Sequence, residues 1–426
     1  MSDGNRIVVH KEMGLVAQVF DEPSLNTLRG DIAVAHCRYS TTGASVWANA
    51  QPTFRSTPNA SLALGHNGNL TNPRELASML PGANGASAVQ ATSDTDVLTE
   101  LFVHSADSVE ETAARILPLA KGAYSLVFMD ENTLYAARDP QGFRPLVIGQ
   151  LDAGWVVASE TAALDIVGAK FVREVRPGEL VTADERGIRS RVFAPAAPKV
   201  CLFEYVYLAR PDTTIGGRGL HATRVEIGRT LAKEYPVDAD LVIPVPESGT
   251  PAAIGYAEAS GIPYGQGLVK NSYVGRTFIQ PSQTIRQLGV RLKLNPLRDV
   301  IAGKRLVVVD DSIVRGTTQR AIVNMLREAG ALEVHARIAS PPVKWPCFYG
   351  IDFATREELI AGHSTVEEIC ASIGADSLGY VSLEGLTEAA EQPAGSLCRA
   401  CFDGRYPVPV AEEDRGKNVL EPALKS

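Results

Sequence analysis

The sequence lacks the features that mark nucleic-acid-binding, membrane and secreted proteins. Lysine and arginine number 41 against 49 acidic residues, a formal net charge of -8, so no basic excess is available to replace counterions along a nucleic acid backbone. No stretch approaches the roughly 20 consecutive apolar residues that span a bilayer. The N-terminus has no basic segment followed by an apolar one, the pattern of a secretion signal. We therefore expect a cytoplasmic protein that binds neither nucleic acid nor a membrane.

Cysteines are few, and the expected compartment decides how they are interpreted. In the cytoplasm thiols stay reduced, which favours metal binding or catalysis over disulfides. Hydrophobic residues make up 45% and charged residues 21% of the 426 residues, the balance of a folded globular protein with two or three domains. The six cysteines are Cys37, Cys201, Cys347, Cys370, Cys398 and Cys401.

The pattern of apolar runs changes near residue 195. Before it, short apolar runs such as 124–128 and 155–158 are separated by turn residues, which predicts a two-sheet sandwich with flanking helices. After the Pro- and Ala-rich segment 193–199, strands and helices alternate, which predicts a parallel sheet with ligands at the carboxyl ends of its strands. We therefore predict an α+β domain over residues 1–195 and an α/β domain over residues 196–426.

The clearest chemical motif is an apolar strand that ends in two acids, Asp310 and Asp311. A turn of small residues follows and opens a helix. Free backbone N–H groups at a helix start, together with the hydroxyls of Ser312, Thr317 and Thr318, form an anion site. The two carboxylates are suited to ribose hydroxyls or to a magnesium ion carried by diphosphate oxygens. A plain helix N-cap needs only one such residue, so it explains the motif less well.

Two further segments favour a phosphorylated substrate. A turn upstream contains Ser248, whose hydroxyl can reach magnesium, and Gly249, which permits close approach of the backbone. Lys270, Tyr273 and Arg276 lie in a cation-rich stretch that suits a trianionic diphosphate substrate. A solvated basic surface is the alternative for that stretch, and it explains the residues from Arg286 onward better than the aromatic segment 273–278. A simple turn is the alternative for the first segment, although its place upstream of the acidic pair favours the functional interpretation.

The first half contains groups that suit an amino-acid substrate whose side chain carries an amide. Such a substrate needs a cation for its α-carboxylate, an acid for its α-ammonium group and an oxyanion hole for its amide. Arg38, Asp94 and the pair Asn67–Gly68 can supply these three functions. Each signal is weak alone, since an Asn-Gly pair is normally the turn of a hairpin.

The Cys398-x2-Cys401 pair has the spacing of metal ligands. With Cys201 and Cys347 it would complete a set of four thiolates, which suits an iron–sulfur cluster or a structural zinc ion. The spacing does not distinguish the two metals. Four unrelated buried cysteines are the alternative, which explains the 398/401 pair poorly.

These motifs, in this order, resemble two families. The acidic motif resembles the type I phosphoribosyltransferases, and the first half resembles the class II glutamine amidotransferases, which have the N-terminal-nucleophile hydrolase fold. Together they are similar to the glutamine phosphoribosylpyrophosphate amidotransferase family over almost the whole chain. The resemblance implies that phosphoribosyl diphosphate, glutamine and water give phosphoribosylamine, glutamate and diphosphate in the first step of purine synthesis.

The resemblance also implies ligands, cofactors and partners. We expect Mg2+, a [4Fe–4S] cluster, inhibition by purine nucleotides and a homotetramer. The implied contacts with phosphoribosyl diphosphate are Asp310, Asp311, Ser312, Val314, Arg315, Gly316, Thr317 and Thr318. The implied magnesium ligands are Ser248, Asp310 and Asp311, and the implied cluster ligands are Cys201, Cys347, Cys398 and Cys401. The implied glutamine contacts are Arg38, Thr41, Asn67, Gly68 and Asp94, and a flexible loop would carry Lys270, Tyr273 and Arg276.

The sequence departs from this family at the nucleophile. Family members use a cysteine as the first residue of the mature chain, and this sequence begins at Met1. Cys37 is internal and precedes Arg38 on an expected buried strand, so we assign no catalytic nucleophile. We expect that an N-terminal segment is missing and that the chain as given uses ammonia rather than glutamine. A purine-salvage phosphoribosyltransferase and a non-catalytic regulator that senses phosphoribosyl diphosphate are the two alternatives.

Overall fold

The chain folds into two compact units. The computed structural model describes residues 1–38, 45–58, 60–81, 91–271, 292–352, 355–411 and 420. The first unit contains the described residues up to 200, together with 347–352, 406–411 and 420, and the second contains the described residues of 201–346 and 355–405. Residues 347–352 thus join the first unit, whereas the predicted boundary at 195 assigns them to the second domain. Within the described residues no helix is long and apolar enough to cross a membrane.

The first unit contains the predicted pair of sheets. Its larger sheet has six antiparallel strands, in the order Thr53–Ser56, Ser61–Leu70, Gly122–Met129, Leu134–Arg138, Glu179–Asp184 and Gly187–Val192. Its smaller sheet has three strands, in the order Gly154–Ala158, Val147–Leu151 and Lys170–Glu174. The prediction of a two-sheet arrangement is therefore confirmed.

Alternating side chains give the larger sheet two buried faces. Tyr135 and Ala137 belong to a core shared with Val97 and Leu98 of the helix Asp94–Val103. Successive residues of a strand point to opposite faces, so Ala136 faces the other way. It packs with Ile148 and other residues of the smaller sheet. The sheet thus lies between helices and a second sheet.

Polar caps mark where the helices of the first unit begin. The side chains of Asp21, Ser93 and Ser108 accept hydrogen bonds from backbone N–H groups two or three residues into their helices. The helices of the described part of this unit are Val16–Val19, Glu22–Thr27, Pro73–Ala77, Asp94–Val103, Val109–Ile116 and Thr161–Val167.

The second unit is built on the predicted parallel sheet. Its four strands lie in the order Leu241–Pro244, Arg305–Asp310, Glu333–Ile338 and Ser377–Tyr380, and all three pairings are parallel. Leu306 and Val308 pack on the helix Thr317–Glu328, and the helix Thr250–Ser260 contacts the sheet through Leu241–Pro244 and Arg305–Asp310. The carboxyl ends of parallel strands share one edge, which is where ligands bind in such sheets.

Two helices of this unit approach each other unusually closely. A Cβ atom at Gly228 would lie 1.9 Å from the carbonyl oxygen of Ala252, and one at Gly255 would lie 1.8 Å from that of Val225. The helices Leu220–Glu234 and Thr250–Ser260 therefore need glycine at both crossing points. The described helices of this unit are Leu220–Glu234, Thr250–Ser260, Arg298–Ile301, Thr317–Glu328, Val366–Ile373, Leu383–Ala390 and Ala400–Asp403, with a π-helix at Glu204–Leu208. Two-residue and three-residue ladders pair Val200–Cys201 with Leu397–Cys398, Thr214–Ile215 with Arg218–Gly219, and Leu268–Lys270 with Leu294–Pro296.

Candidate functional site

The two acids of the phosphoribosyl motif lie at the carboxyl edge of the parallel sheet. Asp310 is the last residue of its strand and is 6% exposed, and Asp311 is 9% exposed. The Asp311 backbone N–H donates to Asp310 Oδ1 over 2.9 Å, and the Ser312 hydroxyl donates to Asp311 Oδ2 over 2.5 Å. Gln319 Nε2 donates to Asp310 Oδ2. Both carboxylates are therefore held in place before any substrate binds.

The electrostatics of this pair suit a cation. Burial, together with the negative charge of Asp311, raises the pKa of Asp310 well above its usual range. A divalent ion beside the two carboxylates would relieve both effects, because it stabilises their charged forms. Mg2+ in such sites commonly takes one or two carboxylates and completes its shell with substrate phosphates and water. The residues present therefore fit a magnesium ion that arrives with a diphosphate.

The turn after the acids has the geometry of a phosphate cradle. Gly316 has φ +75° and is the N-cap of the helix Thr317–Glu328, which no side chain caps in the described structure. The interpretation of this motif as a helix capped by its own Asp or Thr side chains is therefore wrong. Backbone N–H groups at the start of the helix remain for an anion.

A segment that the sequence did not suggest supports the phosphate turn. The Ile360 N–H donates to the carbonyl oxygen of Val314 over 2.9 Å. Arg315 and Glu358 form an ion pair with an Nη2–Oε1 distance of 3.0 Å. No spacing or motif links these partners in the sequence. Ser312, Thr317 and Thr318 lie along the turn and the helix start, as predicted.

The second predicted turn lies against the strand that carries Asp310. The Val245 N–H donates to the carbonyl oxygen of Val309 over 2.8 Å, and the Gly249 N–H donates to that of Val245 over 3.0 Å. A Cβ atom at Gly249 would lie 2.3 Å from the Val309 oxygen. Ser248 precedes this glycine, so the fold brings the Ser248 turn and the acidic pair to the same sheet edge.

The base of the predicted flexible loop contacts the same turn. Lys270 Nζ lies 3.0 Å from Glu247 Oε2. Lys270 ends a strand that pairs with Leu294–Pro296, so both ends of the loop start from a defined hairpin. Tyr273 and Arg276 lie outside the described residues, and their predicted contacts stay predictions.

In the first unit, Asp94 begins a helix beside the end of a strand. Its Oδ2 accepts the Leu70 N–H and its Oδ1 accepts the Thr95 N–H, both over 2.9 Å. Asp94 is 4% exposed. Burial lowers the pKa of Arg38, and the charge of Asp94 opposes that shift. The predicted carboxylate-binding cation and ammonium-binding acid are thus electrostatic neighbours, whereas Thr41 lies outside the described residues.

The Asn67–Gly68 pair lies inside a strand rather than in a hairpin turn. In the pairing of Ser61–Leu70 with its neighbour, Asn67 is opposite Ser125 and Gly68 is opposite Tyr124. Gly68 has φ +145°, and a Cβ atom there would lie 2.1 Å from the carbonyl oxygen of Ala123. The hairpin-turn interpretation is therefore wrong. Gly68 thus combines a positive φ with a place inside a paired strand, a conformation that residues with a side chain rarely adopt.

A buried network that the sequence analysis missed joins these groups. His66 Nε2 lies 3.1 Å from the carbonyl oxygen of Ala123 and Nδ1 lies 3.2 Å from the Thr95 hydroxyl. Because a carbonyl only accepts, Nε2 carries a proton and donates it to the Ala123 oxygen. Gln51 Nε2 donates to the same hydroxyl over 3.1 Å, and Gln51 Oε1 accepts the His66 N–H over 2.7 Å. The helix that carries Asp94 is thereby fixed to the strand that carries Gly68.

Residues 347–352 also reach the Gly68 strand, although they follow it by nearly 280 positions. Asn69 Nδ2 donates to the carbonyl oxygen of Phe348 over 3.1 Å, and Arg144 Nη2 donates to that of Gly350 over 2.5 Å. A Cβ atom at Gly350 would lie 3.0 Å from the Gly68 carbonyl group. Only the fold shows this proximity, because local sequence patterns do not report on distant segments.

The cysteines give a mixed result. Cys201 and Cys398 lie on paired two-residue strands, and Cys401 follows in a short helix. Cys347 belongs to the first unit, where burial raises the pKa of its thiol. Among the described residues, no three His, Cys, Asp or Glu side chains are arranged to hold a metal ion. The predicted [4Fe–4S] cluster is therefore not supported by this structure.

The expectation for Cys37 is wrong. We expected it on a buried strand, but its side chain is exposed and residues 33–38 form no strand. The larger sheet has its edge at Thr53–Ser56, and no described strand pairs beyond that edge. Residues 33–38 therefore run as irregular backbone.

Comparisons with known proteins agree with this architecture. Residues 36–166 match the family model of the glutamine amidotransferase domain. The amidophosphoribosyltransferase of Mycobacterium tuberculosis is 62% identical over 100% of this chain and 83% of its own length. That of Bacillus subtilis is 48% identical over 99% of this chain and 90% of its own length.

Solved structures show the same fold. The B. subtilis glutamine phosphoribosylpyrophosphate amidotransferase, complexed with ADP and GMP, has a TM-score of 0.90 at 47% identity and covers 99% of this chain and 92% of its own. A structure described as the allosteric regulatory enzyme of purine biosynthesis has a TM-score of 0.91 at 47% identity. The match covers 100% of this chain and 92% of that structure's chain. The predicted fold class, an N-terminal-nucleophile hydrolase domain followed by a type I phosphoribosyltransferase domain, is confirmed. This chain belongs to the amidophosphoribosyltransferase family.

Proposed function

We propose that this protein catalyses the amidophosphoribosyltransferase reaction, the first committed step of purine biosynthesis. Ammonia, either free or released when water hydrolyses the amide C–N bond of glutamine, attacks C1 of phosphoribosyl diphosphate, and the C1–O bond to diphosphate breaks. The products are phosphoribosylamine and diphosphate, with glutamate when glutamine supplies the nitrogen. The observation that carries this proposal is the buried Asp310–Asp311 pair, which lies between an uncapped helix start and the Ser248 turn at one sheet edge.

The second unit positions the ribosyl donor. Backbone N–H groups from Ser312 to Thr318 take the 5′-phosphate, and Asp310 and Asp311 take the ribose hydroxyls. Ser248 and the backbone at Gly249 take the diphosphate. When bound, Mg2+ would be held by Ser248, Asp310 and Asp311 and would neutralise the charge of the leaving group. The protein accelerates the reaction mainly by orientation and by stabilising charge at an oxocarbenium-like C1.

The first unit positions glutamine. Arg38 holds the α-carboxylate and Asp94 holds the α-ammonium group, since these two charges are electrostatic neighbours and Asp94 has a fixed orientation. The backbone at Asn67 and Gly68 stabilises the negative charge that develops on the amide oxygen when the amide carbon is attacked. These assignments make a glutamine-independent salvage enzyme the poorer candidate.

Regulation and assembly follow from the family. We propose that purine nucleotides inhibit the enzyme, because a related structure is of an enzyme complexed with ADP and GMP. A homotetramer in the cytoplasm is the assembly and location that the resemblance favours. Size-exclusion chromatography with light scattering tests the homotetramer. Activity titrations with adenine and guanine nucleotides test the inhibition.

The [4Fe–4S] cluster remains a proposal that rests mainly on the resemblance. In the second unit, Cys201 and Cys398 lie on paired strands and Cys401 is three residues further on, an arrangement compatible with the cluster. Soft thiolates suit iron–sulfur clusters and zinc equally. We propose Cys347 as the fourth ligand from its sequence context alone. Metal analysis of anaerobically purified protein distinguishes iron from zinc.

Product analysis with different nitrogen sources tests the function. Ammonium with Mg2+ and phosphoribosyl diphosphate should yield phosphoribosylamine and diphosphate, because the second unit carries the transfer chemistry. Replacing both Asp310 and Asp311 by Asn should abolish this product. Asp299→Asn, an exposed acid of the same unit, is the matched control and should leave the rate unchanged.

The alternatives give different outcomes in the same assay. A salvage enzyme would release diphosphate with a purine base and not with ammonium. A regulator would bind phosphoribosyl diphosphate without releasing diphosphate from it. Either result would contradict the proposed function.

A further inference from the structure

Gln319 makes a specific contact with one acid of the phosphoribosyl site. It is the third residue of the helix Thr317–Glu328, its side chain is 3% exposed, and its Nε2 donates to Asp310 Oδ2. Asp310 Oδ1 meanwhile accepts the Asp311 N–H over 2.9 Å. Each oxygen of Asp310 therefore has one fixed donor, one from the turn and one from the helix.

Two donors on different oxygens fix the plane of a carboxylate. Without the second donor, the carboxylate of Asp310 is free to rotate about its last side-chain bond. A carboxylate offers about four acceptor positions, so two donors still leave acceptor positions for a ligand. Gln319 is itself neutral and adds no charge that would compete with a cation or repel one.

The burial of the pair makes this contact more important than a surface hydrogen bond. Asp310 is 6% exposed, so water supplies little compensation for its charge. A hydrogen bond to a buried charged group is stronger than one between neutral groups. Partners of this kind, which orient the groups that contact a ligand, commonly control affinity for metal ions and substrates.

From this geometry we propose that Gln319 is a positioning residue for phosphoribosyl diphosphate and its metal ion. It acts through Asp310, whose carboxylate it holds in the plane that the ribose hydroxyls and Mg2+ require. The inference rests on the proposed function, because it assigns Asp310 to the substrate. Gln319 itself touches neither the substrate nor the reacting atoms.

Two variants of similar size to glutamine separate this role from simple packing. Gln319→Met keeps the length of the side chain and removes the donor. Gln319→Glu keeps the shape, but an ionised carboxylate has no hydrogen to donate and repels Asp310. Asn324→Met, on the exposed side of the same helix, is the matched control.

The measurement is the ammonium-dependent reaction over a range of phosphoribosyl diphosphate and Mg2+ concentrations, together with the thermal unfolding midpoint. In Gln319→Met we expect KM for phosphoribosyl diphosphate and the half-saturating Mg2+ concentration to rise about 10-fold or more, with a smaller change in kcat. In Gln319→Glu both values should rise further than in Gln319→Met. In Asn324→Met both should equal those of the wild type. A packing role would lower the unfolding midpoint without this separation of KM from kcat.

Several outcomes would overturn the proposal. One is a Gln319→Met variant whose KM and Mg2+ requirement stay within about twofold of the wild type. Another is failure of both Gln319 variants to fold, because Gln319 would then serve the fold rather than the site. If the wild type formed no product from ammonium, the proposed function would fail, and calorimetric titration of magnesium phosphoribosyl diphosphate into wild type and Gln319→Met would still test the role of Gln319.

Discussion

Gly249→Ala is expected to damage the phosphoribosyl site without touching any charged group. The new Cβ atom would lie 2.3 Å from the Val309 carbonyl oxygen, and real Cβ contacts are essentially never under 3.0 Å, so the turn must move by about 0.7 Å (3.0 minus 2.3). That displacement separates the Ser248 turn from the strand that ends in Asp310. Misplacement of this order costs up to about 100-fold in rate, and crowding a packed contact costs about 1–3 kcal/mol of stability. We therefore expect kcat/KM for phosphoribosyl diphosphate to fall by about 10- to 100-fold.

The assay is phosphoribosylamine formation from ammonium, with unfolding measured in parallel. Gly219→Ala is the matched control, because a Cβ atom there meets nothing within 4 Å. The control should keep its activity and stability. A Gly249→Ala variant with wild-type kcat/KM would refute the argument that the diphosphate turn must lie against the Val309 carbonyl.

Three further predictions concern other parts of the molecule. Gly255→Ala should destabilise the second unit by about 3 kcal/mol in urea unfolding, because its Cβ would lie 1.8 Å from the Val225 oxygen; unchanged stability would contradict the close helix crossing. Burial lowers the pKa of His36 from 6.5 to about 4. Between these two pH values the unfolded chain therefore binds a proton on His36 and the folded unit does not. The free energy of unfolding should therefore fall as the pH is lowered from 6.5 towards 4. In the His36→Gln variant it should fall less over the same pH range. The wild type should contain about four iron atoms per chain, and Cys398→Ser should contain none. Stoichiometric zinc in the wild type would contradict the proposed iron–sulfur cluster.

The phosphoribosyl site was largely predictable because its parts are close together in the sequence. Asp310, Asp311 and the turn up to Thr318 lie within nine residues, and the βα pattern around them fixes their place at a sheet edge. The prediction also placed Ser248 in a turn upstream of the acids, and the structure puts that turn after the neighbouring strand. What it missed were the supports: Gln319 follows the predicted turn directly and was assigned no role, and Glu358 lies more than 40 residues from the Arg315 that it contacts.

The glutamine site was less predictable because its geometry depends on distant pairings. Asn67 and Gly68 carry the local signal of a hairpin turn, but the pairing with Ser125 and Tyr124 places them inside a long strand. Tertiary context overrode the local preference there. The polar partners of His66 come from three separate segments, so no spacing rule would have joined them.

The two sites also differ in how their supports tolerate change. At the proposed phosphoribosyl site, hydrogen bonds that involve side chains hold Asp310 and Asp311, so a substitution of a polar side chain there removes one of these bonds. In the first unit, Gly68 is confined between the Ala123 carbonyl on its own sheet and Gly350 from residues 347–352. A larger residue at either glycine would displace backbone rather than a side chain, and Asn69 and Arg144 bond to that same segment. We therefore expect substitutions that enlarge Gly68 or Gly350 to disturb the proposed glutamine contacts more than loss of any single polar partner, because they displace the backbone that we propose as the oxyanion site.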